Sequence, residues 1–203
     1  MKAEEIIELA MKAEVLKDLD RTGWVLAGVD RSLIESVAEH SFGTSFISLL
    51  LAKQLEGQGD EIDLGKILTM AIIHDLAESQ ISDIAIDRDG PNRKALLKAK
   101  LDTENSVMVD LLSSLGAMGE ELLALWDDFQ KQSSIEARVV ASADILDMLV
   151  HAIALEESCV SPRILTDFFK SSKPRLEKLK FALAIDIFNA LLRQHEENIK
   201  DEA

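Results

Sequence analysis

Apolar residues recur along this chain at intervals of three and four, the spacing of one helix face. The pattern predicts roughly seven or eight helices. The first covers about 2–19, and "RTGWVLAGVDRS" follows as a turn-rich connector with Gly23 and Gly28. A long helix runs from about Ser32 to Leu55 and is broken by "EGQGDEID". Asp63 is placed to cap the next helix, which carries "MAIIHDLAESQISD", Met70 to Asp83. "DRDGPN" (87–92) signals a turn. Helices over about 93–115 and 119–131 come next, the second with Leu122, Trp126 and Phe129 as core. Ser133 and Glu136 have the form of a capping box opening a helix to about Glu157. Ser161 and Pro162 begin another helix. The last, about 173–197, is amphipathic. Its Phe181, Ile185, Phe188 and Leu192 form a face for the domain or for a second subunit, and His195 near its end is expected to be exposed. No repeat, low-complexity segment or linker interrupts the series. The expectation is one all-α domain over 1–203.

Polar residues interrupt these apolar faces at three places. His40 sits among Leu33, Val37, Thr44, Ile47 and Leu51. His74 shares a face with Ile67, Ala71, Glu78 and Ile81, and Asp75 stands beside it. In the helix ending near Glu157, Val139, Ala143, Leu146, Val150 and Ile153 form an apolar stripe, and Val140, Asp144, Asp147 and His151 a second line next to it. Singly, each has an ordinary reading as a satisfied core histidine or a solvated stripe. Together, two histidines and two aspartates from three helices can close on one divalent cation. Imidazole with carboxylate suits Mn, Fe, Co, Ni or Zn, and Mg less. Asp147 and His151 stand in line as substitutes should Asp144 not be a ligand.

Composition narrows the partners. The net charge of −15 disfavours a nucleic-acid polymer or an anionic membrane, but leaves room for a small phosphate compound at a bound metal. The 47% hydrophobic content, three prolines, nine glycines and absence of tyrosine fit a folded, all-helical chain. One cysteine, Cys159, allows no internal disulfide, so a reducing cytoplasm is the simplest compartment. The start of the chain has no apolar signal core, and no apolar run is long enough for a membrane span.

The order His, His-Asp, Asp, read here as "SVAEHS" (His40), "IIHDLAES" (His74, Asp75) and "SADILDM" (Asp144), resembles the HD-domain superfamily of metal-dependent phosphohydrolases. The surrounding stretches "RTGWVLAGV", "ESVAEHSF", "DLGKILTMAIIHDLAE", "SDI", "LW" and "EARVVASADILDM" are similar to the branch holding the YfbR-like 5′-deoxynucleotidases and the HD domain-containing protein 2 group, from about Leu19 to Phe169. The resemblance implies an all-helical, commonly dimeric enzyme that takes phosphate from deoxyribonucleoside 5′-monophosphates with Co or Mn among its activators. It implies His40, His74, Asp75 and Asp144 as ligands of one metal ion. Glu78 and Asp83 would handle water or protons, and Arg21 and Trp24 would lie near the phosphate or the nucleoside. Ser82 stands where relatives often carry glycine, and the loop over about 84–95 differs, which bears on substrate choice.

Such chemistry needs the charge of a phosphomonoester dianion neutralised and a water activated. Glu78 and Asp83 are the acids placed to move protons, with the roles between them open. Arg21 offers a two-pronged phosphate contact and Trp24 a stacking or packing surface. Two alternatives stand beside this reading. One is an HD phosphohydrolase acting on a triphosphate, a cyclic nucleotide or ppGpp. The other is a metal- and nucleotide-binding sensor without turnover, against which the extra acids Glu78 and Asp83 speak.

Overall fold

Where the chain passes from one helix to the next decides which side chains meet, and the helices that carry His40 and Asp144, like the one leading to His74, start at side-chain caps. The computed structural model describes residues 3–86 and 90–202. Helix α1 covers Ala3–Glu14, and one 3-10 turn, Val15–Lys17, continues it. The "RTGWVLAGVDRS" stretch is more ordered than its glycines suggest. It forms a short helix α2, Thr22–Ala27, closed by Gly28 in the left-handed conformation (φ 82°), and a 3-10 turn Arg31–Leu33. Helix α3 is Val37–Gln58. It begins later than its apolar pattern implies, because Ser36 and Glu39 form a reciprocal capping box: the Ser36 hydroxyl accepts the Glu39 N–H, and the Glu39 carboxylate accepts the Ser36 N–H at 2.6 Å.

Helix α4, Leu64–Ile73, is capped by Asp63, which accepts the Lys66 N–H at 2.9 Å, as the sequence predicts. The expected continuous helix through Glu78 does not form. After Ile73 the backbone tightens: Leu76, Glu78 and Ser79 each donate to the carbonyl three residues back. A single turn, α5 (Glu78–Ile81), follows. Helix α6 is Arg93–Leu112 with a 3-10 turn to Leu115, and α7 is Ala117–Lys131. Part of the "DRDGPN" turn, residues 87–89, lies outside the described residues.

Helix α8, Ile135–Glu157, is capped by Ser134 rather than Ser133. Glu136 does not close a capping box. Its carboxylate accepts the Asp63 N–H at 3.3 Å, tying the start of α4 to the start of α8. Helix α9, Pro162–Leu179, carries Pro174 inside it, and α10 is Ala182–Asp201. The amphipathic segment expected as one final helix is therefore split at Lys180, whose φ of 55° turns the chain.

Helix α8 runs through the middle. It packs on α3, α4, α9 and α10. Leu51, Ile67, Met70, Val139, Leu146, Leu149, Phe169 and Phe188 are among the side chains buried in this main core. Of the apolar stripe on α8, Val150 alone is exposed. A second cluster gathers Leu16, Val37, Met108, Leu112 and Trp126 under α1, α6 and α7. The Trp126 indole donates to Asn105 Oδ1 at 2.8 Å. His195 is buried, not exposed. It stacks on Phe169 at 4.1 Å, meets Glu156 through Nδ1, and lies 3.2 Å from the Thr166 hydroxyl through Nε2. Among the described residues there is no strand, only an isolated antiparallel bridge between Asp20 and Ser36. That bridge fixes Arg21 beside the start of α3.

Candidate metal centre

Three helices bring their unusual polar residues to one place. The first turn of α3 carries His40, the tightened passage after α4 carries His74 and Asp75, and the middle of α8 carries Asp144. One ligand atom each from His40, His74 and Asp75 can be chosen so that all lie within 4.8 Å of one another. His40 Nε2 stands 3.3 Å from Asp144 Oδ1 and 3.7 Å from Asp75 Oδ2. His74 Nε2 stands 3.3 Å from the same Asp75 oxygen.

The other ring nitrogen of each histidine is already committed. His74 Nδ1 lies 2.8 Å from the Ala71 carbonyl, and His40 Nδ1 lies 2.8 Å from Asp147 Oδ2. His74 Nε2 is buried and has no hydrogen-bond partner. A buried imidazole nitrogen without a hydrogen-bond partner, 3.3 Å from the Asp75 carboxylate, is what a cation would complete. The donor set of two nitrogens and two carboxylates fits a transition metal.

The acids and bases here perturb one another. Burial favours the neutral form of Asp75, but His74, Arg21 and His40 outweigh it and hold its carboxyl well below the usual range. Asp144 is likewise held low, by His40 and Arg175 against its burial. Burial and the Arg21 charge act to lower His40, yet Asp144, Asp147 and Asp75 push it up to about 10. Glu78 is buried, and burial with the Asp75 and Asp83 charges pushes it up to about 9, against Lys100. Its Oε2 has no hydrogen-bond partner, and its Oε1 is 3.5 Å from Lys100 Nζ.

The remaining predicted residues border the centre. Arg21 Nη1 bonds Asp75 Oδ2 at 3.2 Å. Asp83 accepts the Thr22 N–H at 2.7 Å through Oδ2, and its backbone carbonyl accepts the Thr22 hydroxyl at 2.6 Å. Asp83 thereby caps α2 and anchors the segment that presents Arg21. Trp24 is 1% exposed, with its indole stacked on Phe168 at 4.3 Å and its N–H donated to Glu35 at 3.0 Å. Arg21, Trp24, Asp83, Met148 and Phe168 line a cavity of about 150 Å³. A larger one, about 320 Å³, opens on Asp144 between α7, α8 and α9 and is lined by Gln130, Gln132, Arg175 and Lys178.

Sequence reading passed over Lys100 and Arg175. Lys100 reaches in from α6 to Glu78, and Arg175 from α9 lies 3.4 Å from Asp144 Oδ2. Both sit among other charges on charge-rich helices, so nothing local distinguishes them. His151 meets Glu35 at 3.9 Å rather than the centre, and its Nε2 is buried without a partner.

The chain is similar to several known proteins along most of its length. The 5′-deoxynucleotidase HDDC2 of Dictyostelium discoideum is 34% identical over 145 residues, covering 70% of this chain and 73% of its own. The human 5′-deoxynucleotidase HDDC2 is 28% identical over 171 residues, 84% of this chain and 78% of its own. Among solved structures, a conserved hypothetical protein of Pyrococcus furiosus superposes with a TM-score of 0.77 at 34% identity, covering 92% of this chain and 99% of its own. An HD-domain phosphohydrolase of Listeria innocua shares the fold, with a TM-score of 0.74 at 19% identity over 97% of this chain and 92% of its own. The family pattern described as HD domain matches residues 13–184. With its histidines and aspartates gathered from α3, the passage after α4, and α8, the chain belongs to the HD domain family.

Proposed function

We propose that this protein is a metal-dependent phosphohydrolase that releases phosphate from nucleoside 5′-monophosphates, deoxyribonucleotides among them. The observation that carries the reading is the convergence of His40, His74 and Asp75 within 4.8 Å, with Asp144 against His40. The relatives named 5′-deoxynucleotidase supply the substrate class. His40 and His74 through Nε2, with Asp75 and Asp144, would hold one divalent ion: Mn, Co, Fe, Ni or Zn in preference to Mg. Such an ion supplies concentrated positive charge for the phosphate and acidifies water.

The chain's own residues do the rest. Glu78, whose carboxyl is pushed up by burial and by the Asp75 and Asp83 charges, has Oε2 without a hydrogen-bond partner, placed to give or take a proton beside the centre. Asp83 has the supporting part, since its Oδ2 is engaged with Thr22. Arg21 places a guanidinium against the phosphate from the Asp75 side. Trp24 shapes the cavity beside it, with its indole fixed by Phe168 and Glu35.

A second reading, a substrate with a further phosphate, is favoured by Arg175 and Lys178 lining the larger cavity at Asp144. No helix among the described residues is long and apolar enough to cross a membrane. Work as a homodimer in the cytosol belongs to the same reading, on the strength of the sequence resemblance and the single cysteine.

The test is phosphate release from ribo- and deoxyribonucleoside 5′-monophosphates and the matching triphosphates. The protein is stripped of metal and resupplied with Mn, Co, Mg or Zn separately, with Asp75→Ala alongside. Metal-dependent release from monophosphates, lost in the variant, is the expected result. Release from triphosphates alone moves the assignment to the second reading, and no release with any metal overturns both.

A further inference from the structure

His40 has work for both ring nitrogens. Its Nε2 faces Asp144 and Asp75 at 3.3 and 3.7 Å, while Nδ1 lies 2.8 Å from Asp147 Oδ2. Asp147 is not among the ligands the sequence pattern assigns. It is nonetheless buried, one turn along α8 from Asp144.

We propose that Asp147, seated in a notch that Gly43 leaves in α3, is the positioning residue that fixes the orientation and tautomer of His40 for cation binding through Nε2. This rests on the reading of His40 as a metal ligand. A carboxylate that accepts the Nδ1–H leaves the lone pair on Nε2 and stops the ring from flipping. His74 has the same arrangement, with the Ala71 carbonyl as its acceptor. There the acceptor comes from the turn below, within the same stretch of chain. His40 stands in regular helix and takes its acceptor from α8.

Gly43 is the reason Asp147 can come so close. It lies one turn after His40 on α3, inside a helix, where glycine costs about 1 kcal/mol against alanine. A Cβ there would overlap the Asp147 carboxylate, 2.6 Å from its Cγ. The carboxylate is buried and bonded to His40, so it cannot yield to a methyl group without giving up that bond.

A rival arrangement is a second cation held by Glu35, His40 and Asp147, whose ligand atoms also fall within 4.8 Å of one another. It would require His40 to lose its N–H and bridge two cations. Glu35, moreover, already accepts the Trp24 indole N–H at 3.0 Å. A hydrogen bond from Nδ1–H to Asp147 needs neither concession.

The experiment is Co²⁺ titration of the metal-free protein, followed by calorimetry and visible absorption, for the parent, Asp147→Asn, Asp147→Ala and Gly43→Ala. The parent should take one equivalent. Asp147→Ala and Gly43→Ala should bind ten- to a hundredfold more weakly, with an altered Co²⁺ spectrum and an unchanged far-ultraviolet circular dichroism spectrum. Asp147→Asn, which can still accept from Nδ1 but lacks the charge, should fall between. Parent-like affinity and spectrum in folded variants would overturn the proposal while leaving the metal reading intact. If the alanine variants do not fold, Asp147→Asn decides alone: parent-like Co²⁺ binding there overturns the proposal. Two equivalents in the parent, one of them lost in Asp147→Asn, would make Asp147 a ligand instead. A parent that binds no Co²⁺ sinks the metal reading and this proposal with it.

Discussion

Arg21 Nη1 and Asp75 Oδ2 stand 3.2 Å apart with both side chains 16% exposed, so a single carboxylate oxygen serves a guanidinium and faces both histidines of the centre. A cation and Arg21 therefore draw on the same negative charge. Arg21→Ala should lower kcat/KM by about a hundredfold, the weight of one or two charge-assisted hydrogen bonds. The same variant should bind the metal at least as tightly as the parent. Arg21→Lys should recover little, because an ammonium lacks the planar fork. Steady-state kinetics and metal titration check the two halves separately.

Glu78 should separate turnover from metal binding. Glu78→Gln keeps the shape of the side chain and removes its proton chemistry. It should reduce kcat by about 10²–10⁴ while leaving the metal Kd within a few-fold of the parent. Equal losses in both would make Glu78 a ligand.

Metal should also hold the fold together. Binding to the folded chain alone stabilises it by about 2.7 kcal/mol when free Mn²⁺ is a hundred times its Kd. Urea unfolding with and without a chelator should show that difference in the parent. His74→Ala should show almost none, because the buried Nε2 that otherwise has no partner is gone.

Away from the centre, Asp128 joins α7 to the start of α8. It accepts the Ser134 N–H and hydroxyl at 3.0 and 2.7 Å and pairs with Lys66 at 2.7 Å. Partial burial acts to raise its pKa, but Lys66 and Ser134 outweigh it and hold the carboxyl below its ordinary 3.8. A depressed folded-state value means the contribution is complete above 3.8 and is lost as the pH falls through the lower folded value. Asp128→Asn should therefore cost about 1 kcal/mol at pH 7, and the gap should close below pH 4. Urea melts across that range measure it.

His195 and Glu156 form a pair with side chains 2% and 1% exposed, and Asn198 also donates to Glu156. Removing one partner strands the other. Glu156→Ala should cost about 3–5 kcal/mol by urea denaturation. Replacing both Glu156 and His195 with leucine should cost less than that single change.

Much of the centre was legible because its residues break a helical rule locally. His40 and His74 fall on apolar faces at three- and four-residue spacing, and Asp144 lies in a second line beside an apolar stripe. What stayed hidden depends on partners far along the chain. His195 reads as an exposed helix end until Glu156, from another helix, is placed against it. Asp147 reads like Asp144 until Gly43 is seen to admit it. The break after Ile73 had no proline or glycine to announce it, since its tightened turns use ordinary residues. The two glycines of "RTGWVLAGVDRS" suggested a loop, while Asp83, far ahead in sequence, caps a helix there.

The bond between His40 and Asp147 spans 107 positions. A growing chain that has released α3 and the passage after α4 but not α8 thus has His40 without its orienting carboxylate, and both histidines without Asp144. Three of the four ligands thus precede α8, and the fourth arrives with the carboxylate that orients His40, so the full cation affinity of the centre depends on the docking of α8.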